Sequence, residues 1–205
     1  MASGRMATGR PRAGLRVVGG AWRGRAIDVP PAGAPAEPRA PTELRPTTDR
    51  ARETLFNVLA HNDVPLPGAT VLDAFAGTGA LGIEALSRGA AHATFIERDG
   101  AARRLLAGTL RRLGGEARAA ILSLDATSPG PAPRAHDLAL LDPPYGRGLG
   151  GQALAALLAA GWLATGARVV IEEEKGASIA WPDGVEPERE VSVGGTRFHL
   201  ARWRG

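Results

Sequence analysis

Cysteine is absent from the 205 residues. Its absence excludes a disulfide framework, zinc fingers with thiolate ligands, cysteine-ligated iron–sulfur clusters and a cysteine nucleophile. Long apolar runs are missing too, since no stretch approaches the roughly 18 residues of a membrane-spanning helix. The amino terminus MASGRMATGRPRAG carries positive charge without the apolar stretch of a secretory signal, so the expected compartment is the cytoplasm. Lysine is nearly missing: 24 of the 25 basic side chains are arginine and only Lys175 is lysine. What is present is the make-up of a globular protein, 44% hydrophobic and 22% charged with 28 glycines and 16 prolines. Its length fits one domain, or one domain with a small appendage.

The formal net charge of +4 is unevenly spread. Residues 1–52 hold ten arginines against four acids, a net +6, and the remainder carries a net −2. A basic amino-terminal third on a near-neutral body predicts an arm that meets a polyanion, most often nucleic acid.

Along the chain, residues 1–13 lack periodicity and read as a flexible basic tail. Leu15–Val18 and Arg25–Val29 predict two short strands around a loop holding Trp22, Arg23 and Gly24. Prolines 30, 31, 35, 38 and 41 mark a linker up to Pro46, so residues 14–46 form an appendage ahead of a main domain over 47–205. A helix is expected from Thr47 or Thr48, whose hydroxyl can cap it, with Leu55, Phe56, Val58 and Leu59 on its buried face. Strands are then predicted at Thr70–Asp73, Ala93–Glu97, Ala119–Leu122, Asp137–Leu141 and Arg168–Glu172. Helices are predicted at Ala80–Ser87, Ala101–Leu113 and Gly151–Ala160. That alternation implies a doubly wound parallel sheet. Glu190–Val193, Gly194-Gly195 and Thr196–Trp203 instead predict a terminal antiparallel hairpin.

Three segments could carry chemistry. Val71-Leu72-Asp73-Ala74-Phe75-Ala76-Gly77-Thr78-Gly79-Ala80-Leu81-Gly82 is a strand ending in an acid, a glycine turn and a helix start. Glycines let a nucleotide-like ligand approach the backbone, and the helix start offers free N–H groups. Gly77, Gly79 and Gly82 satisfy GxGxxG, and Glu97 lies 20 residues beyond Gly77, so a nicotinamide dinucleotide competes here with S-adenosylmethionine. Asp73 favours the latter, because its carboxylate would face a dinucleotide's pyrophosphate but suits the ammonium of a methionine moiety. Glu97 fits ribose hydroxyls in either case. Asp125 could accept from an adenine amino group, with Ala126 supplying a backbone N–H; Phe75, Thr78 and Arg98 complete this expected cofactor shell.

The second segment is Leu140-Leu141-Asp142-Pro143-Pro144-Tyr145. Two prolines fix the backbone as it leaves the sheet and remove two donors, leaving an acceptor-only rim of carbonyls and the Asp142 carboxylate. Such a rim suits an exocyclic amino group, whose two N–H donors it would hold while the lone pair attacks a methyl sulfonium. Tyr145, the only tyrosine, could stack on the base. Asp142, Pro143, Pro144 and Tyr145 are therefore the expected catalytic set, with Asp142 also beside the cofactor. Together with the terminal hairpin, the motifs predict an α/β class I methyltransferase: a Rossmann-like, doubly wound, mostly parallel sheet with a small amino-terminal β-hairpin extension. The third segment, Leu44-Arg45-Pro46-Thr47-Thr48-Asp49-Arg50-Ala51-Arg52-Glu53-Thr54-Leu55-Phe56-Asn57, places arginines and threonines where they could hold phosphates.

These segments, with Gly19-Gly20-Ala21-Trp22-Arg23-Gly24-Arg25 and Gly194-Gly195-Thr196, resemble the bacterial RsmD-type 16S rRNA guanine-N2 methyltransferases over nearly the whole chain after residue 14. The resemblance implies direct methyl transfer from S-adenosylmethionine to N2 of one guanine, conventionally numbered 966. It also implies 16S rRNA in the 30S subunit, or an assembly intermediate of it, as partner. RNA contacts are expected from Arg16, Trp22, Arg23, Arg25, Arg45, Thr47, Thr48, Arg50 and Arg52. No metal, no membrane and a monomeric chain are expected. The chain departs from the family in its long proline-rich linker, its extended basic tail, and Val193 where a tyrosine often stands. The missing cysteine also removes methyltransferases that attack ring carbons through a cysteine adduct, and radical enzymes built on iron–sulfur clusters. An adenine-N6 nucleic-acid methyltransferase shares the Asp-Pro-Pro-Tyr motif, although 205 residues leave little room for its usual target-recognition domain. A nicotinamide-dependent oxidoreductase fits the glycine loop but has no need of Asp142 to Tyr145. A non-catalytic RNA-binding protein would keep the pocket and lack the chemistry.

Overall fold

A computed structural model describes residues 14–30, 48–61, 64 and 66–205. The expected tail, most of the linker, Arg45 and Thr47 lie outside the described residues. Helix α1 spans Asp49–His61, and Thr48 Oγ1 accepts from the Ala51 amide at 3.2 Å, the cap expected of a threonine there. Then follow β1 (Thr70–Ala74), α2 (Ala80–Ser87), β2 (His92–Ile96), α3 (Gly100–Leu113), β3 (Ala119–Leu122), β4 (His136–Leu141), α4 (Leu149–Ala159), β5 (Leu163–Glu174), β6 (Val185–Val193) and β7 (Thr196–Trp203). Helix α3 shows why its ends fall where they do. Asp99 Oδ1 accepts from the Ala102 amide at 2.7 Å, Arg111 and Arg112 stand in the last turn, and Gly114 closes the helix at φ 71°.

The seven strands form one sheet in the order β3-β2-β1-β4-β5-β7-β6. The first five are parallel, while β7 runs antiparallel to β5 and β6 antiparallel to β7. This is the doubly wound sheet with a terminal hairpin that the alternation predicts, although β5 begins earlier, at Leu163, and β6 earlier, at Val185. Successive strand residues face opposite sides. Val71, Phe95, Leu138, Leu140, Val170 and Phe198 pack with α1, α2 and α3, whereas Leu72, Ala74, Ile96, Leu141 and Ile171 pack with α4 and Trp162. The strand order reverses between β1 and β4, and the carboxyl ends of those neighbours are where such sheets bind ligands.

The amino-terminal hairpin is corrected by the structure. The two expected strands reduce to one bridge, Arg16 to Ala26, around a 3₁₀ turn at Gly20–Trp22. The two arms are joined by the Val17 amide on the Arg25 carbonyl (3.0 Å), the Ile27 amide on the Leu15 carbonyl (2.8 Å) and the Gly24 amide on the Val17 carbonyl (2.8 Å), and helix side chains satisfy further amides. The Val18 amide donates to Glu84 Oε2 (2.9 Å), the Trp22 amide to Ser87 Oγ (2.9 Å) and the Asp28 amide to Thr109 Oγ1 (3.0 Å). The segment thus docks on α2 and α3, burying Leu15, Val17 and Ile27.

Candidate active site

At the switch point β1 delivers Asp73 and β4 delivers Asp142. Asp73 is buried, and its Oδ2 accepts from the Gly82 amide at 2.8 Å. Burial raises its pKa to about 8, opposed by that hydrogen bond and reinforced by the nearby charge of Glu97. Phe75, next but one, is the only non-glycine with positive φ (65°) among the described residues, a conformation that side chains other than glycine's adopt at a cost. Gly77 and Gly79 also have positive φ, 55° and 75°. A side chain at Gly79 would run into Leu106 and Phe95, and one at Gly82 into Phe95. The third glycine of the motif is therefore a packing glycine, while nothing but the Phe75 carbonyl lies near the outer side of Gly77.

At the end of β2, Glu97 is buried and takes the Gly77 amide on Oε2 (2.8 Å) and the Asp99 amide on Oε1 (2.7 Å). The two neighbouring acids thereby separate: Asp99 caps α3, and Glu97 ties the glycine loop to the β2 loop. Arg103 Nη1 donates to the Glu97 and Arg98 carbonyls and fixes the same turn. Beyond β3, Asp125 Oδ1 accepts from the hydroxyl and amide of Thr127 (2.7 and 2.9 Å), and Oδ2 faces Arg98 Nη1 at 3.3 Å. These bonds, Thr127's hydroxyl first, hold its pKa below the ordinary value.

One cleft gathers these loops. Phe75, Glu97, Arg98, Asp125, Ala126 and Pro144 line it, with Ile96, Leu124, Thr127, Arg147 and Leu149. Six expected site residues thus converge from four separate strands. Asp73 is buried under the loop through its bond to Gly82, and Gly77, Thr78, Gly79, Asp142, Pro143 and Tyr145 are not part of the cleft lining. The sequence reading misses Arg147 and Leu149, although Arg147 follows the proline motif by two residues. It also misses Glu172, whose Oε1 accepts from the Tyr145 hydroxyl at 2.9 Å.

The expected RNA set does not assemble in one place. Trp22 packs at the far end of α2 and α3, with Arg118 5.1 Å above its ring and its amide on Ser87, the last residue of α2. Arg118 immediately precedes β3, so Trp22, with Arg23 and Arg25 beside it, stands at the amino-terminal edge of the sheet, opposite the cleft. Arg23 and Arg25 are exposed there, and Arg25 donates to the Arg112 carbonyl. Trp22 is half-buried and packs on the body of the protein. Arg52 is a correction to the expected RNA set. It is 0% exposed, bonded to Asp49 Oδ1 (2.8 Å) and to the Arg16 carbonyl, because helical spacing turns it inward beside Leu55 and Phe56. Arg16 is exposed and donates to the Gly24 carbonyl, while Thr48 and Arg50 remain exposed at the start of α1. His61, at the other end of α1, borders the same groove as Arg168 in the first half of β5.

Comparison with known proteins agrees with this geometry. The family model described as conserved hypothetical protein 95 matches residues 15–202. Ribosomal RNA small subunit methyltransferase D of Escherichia coli is 44% identical over 164 residues, covering 78% of this chain and 75% of its own length. Its namesake in Haemophilus influenzae is 34% identical over 191 residues, covering 91% and 92%. The solved structure of yhhF from Escherichia coli superposes with a TM-score of 0.76 at 35% identity, covering 93% of this chain and 98% of that one. With a switch-point cleft that joins a glycine loop, two strand-end acids and an Asp-Pro-Pro-Tyr rim, the chain belongs to the RsmD family of methyltransferases.

Proposed function

We propose that the chain transfers a methyl group from S-adenosylmethionine to the exocyclic N2 of one guanine in 16S rRNA, acting as a monomer in the cytoplasm on the 30S subunit or an assembly intermediate. The observation that carries this reading is the shared cleft: Pro144, from the acceptor motif, lines the same space as Phe75, Glu97 and Asp125. The residues present fit the cofactor. Glu97 and Asp125 offer acceptors for ribose hydroxyls and an amino group, and Ile96, Leu124 and Leu149 offer apolar surface for a flat purine. Gly77 leaves open space where the loop meets the ligand. When bound, S-adenosylmethionine supplies an electrophilic methyl on a sulfonium.

The chain's own residues prepare the acceptor. The Asp142 carboxylate and the Pro143 carbonyl accept the two hydrogens of the target amine, and Tyr145 stacks on the base. Fixed acceptors aimed at a nitrogen that gains positive charge stabilise the transition state without reorganisation. The proton leaves late, to Asp142 or water, since it becomes acidic only once the nitrogen carries the new methyl. The deciding experiment uses methyl-labelled S-adenosylmethionine with small subunits from cells lacking the enzyme, naked rRNA and DNA, followed by nucleoside identification. Label in N2-methylguanosine of rRNA supports the reading; label in DNA adenine, or none in rRNA guanine, overturns it.

Two further outcomes follow from the cleft. Asp73 with a pKa of about 8 is mostly protonated at neutral pH in the free chain, yet must be ionised to meet the cofactor's ammonium. Cofactor binding below pH 8 should therefore release a proton and tighten as pH rises toward 8. Calorimetry in buffers of different ionisation enthalpy measures this, and Asp73→Asn should abolish the release. The linked stability has the opposite sense. A raised carboxyl pKa stabilises the free fold fully below the unfolded value of about 4, and that contribution is lost as pH climbs through 8.

Arg147 stands exposed at the cleft mouth with no partner among the described residues. It is placed to take a phosphate of the target nucleotide. Arg147→Ala should raise KM for RNA about tenfold and lower the slope of log affinity against log salt by about one. An unchanged slope would remove Arg147 from the RNA contact.

A further inference from the structure

We propose that Glu172, with Thr196 of the terminal hairpin, is a positioning residue for the acceptor base: it holds the Tyr145 ring in place through the phenol hydroxyl. The proposal rests on the reading of Asp142–Tyr145 as the acceptor site. Glu172 follows Ile171 on β5 and Asp142 follows Leu141 on β4, and Leu141 pairs with Ile171. The two acids therefore stand side by side on adjacent parallel strands. Alternation points both toward the face that Leu140 and Val170 share. Tyr145 Oη donates to Glu172 Oε1 at 2.9 Å, and its oxygen lies 3.3 Å from Thr196 Oγ1. Thr196 opens β7 directly after the Gly194-Gly195 turn and pairs with Glu174, so the hairpin reaches the acceptor loop through this hydroxyl.

Both ends of the tyrosine are thereby fixed. Its backbone leaves two consecutive prolines, and its hydroxyl is tethered to a carboxylate that is 2% exposed. A hydrogen bond to an ionised acceptor is stronger and shorter than a neutral one, and a ring held at both ends keeps one face free for a base. Burial, with the charges of Glu172 and Asp142, also raises the phenol's pKa, so the donor of this bond remains protonated. A stack needs the ring plane in place before the base arrives, and small displacements at a reacting centre cost rate steeply.

Tyr145 is the only tyrosine, so ultraviolet titration reads it alone and without substrate. In the unsubstituted chain it should resist ionisation well above the ordinary value of about 10. Glu172→Gln should let it ionise at lower pH, because the carboxylate charge is gone. In the transfer assay, Glu172→Leu and Tyr145→Phe should each lower kcat by on the order of 10- to 100-fold, with S-adenosylmethionine affinity unchanged and the double variant no worse than either single. Glu172→Gln, which keeps an acceptor oxygen, should recover most of the rate, and Thr196→Val should show a smaller loss. A tyrosine titration that ignores Glu172→Gln, or losses that multiply in the double variant, would overturn the proposal. If Glu172→Leu fails to fold, the titration and the Gln and Val variants decide. If the unsubstituted chain methylates no rRNA guanine, the functional reading fails, while the titration still reports whether Glu172 holds the ring.

Discussion

Asp142→Ala is expected to lower methyl transfer by about 10³-fold, the upper range for deleting one preorganised group that faces developing charge. Cofactor affinity should stay nearly intact. The split follows from where Asp142 stands. Its side chain follows β4 at the register of Glu172 and Tyr145, while the cleft lining beneath it is made by Phe75, Glu97, Asp125 and Ala126. Alanine removes the acceptor for one amine hydrogen and the late proton sink together, and Pro143 has only a carbonyl to offer in compensation. Asn at the same place keeps an acceptor oxygen but loses the charge, so its rate should fall between the two. Cofactor affinity from calorimetry, set beside the single-turnover rate, separates the outcomes. Equal losses in affinity and rate for Asp142→Ala would make Asp142 a structural residue.

Gly20→Ala should be the most damaging single methyl in the amino-terminal segment. Gly20 has φ 72°, and a Cβ there would overlap the Ser87 carbonyl, which is backbone and cannot rotate away. Relief requires the segment to lift, exposing Leu15, Val17 and Ile27. At about 1.5–3 kcal/mol for each large aliphatic side chain, the loss should reach about 3 kcal/mol or more, or roughly 10 °C in Tm for a chain of this size. Gly24 is the control. Its φ is 79° but nothing stands near its missing Cβ, so Gly24→Ala should cost only about 1 kcal/mol of backbone strain. Thermal unfolding and cleavage by an arginine-specific protease after Arg16, Arg23 or Arg25 measure both. Similar losses at the two glycines would mean that the segment is not clamped on α2.

The contrast shows what a sequence can and cannot reveal. Strand and helix order, the Thr48 cap, the switch point and the acids at strand ends are all legible, because each is written in local periodicity or in spacing along one element. The Gly-Gly-x-Trp-Arg-Gly-Arg segment reads locally as a free-standing hairpin, but Trp22 packs on the body of the protein while Arg23 and Arg25 stay exposed. Gly19 and Gly20 make room for Arg88 and Ser87, and the tryptophan packs under Arg118, all partners far away in sequence. Arg52 misleads for a related reason. An arginine among polar neighbours looks solvated until Asp49 and the Arg16 carbonyl are seen to close over it. Glu172 escapes notice because it closes the predicted strand at the start of the acidic run Glu172-Glu173-Glu174, where a charge at a strand end is usually solvated, whereas β7 on one side and the acceptor loop on the other bury it. In each case the deciding partner comes from another element, and no local pattern encodes it.

The placement of arginines on both edges of the sheet sets a footprint. Helix α3 has 14 residues and so is about 21 Å long, and it runs from the cleft side to the edge where Arg23, Arg25 and Arg112 gather. An RNA that contacted Arg147 at one end and Arg23 or Arg25 at the other would have to present a continuous surface of at least that length. A short single strand threaded into the cleft covers only one end. On the proposed reading, an rRNA fragment carrying the target base without its surrounding fold would reach one edge of the sheet and miss the other.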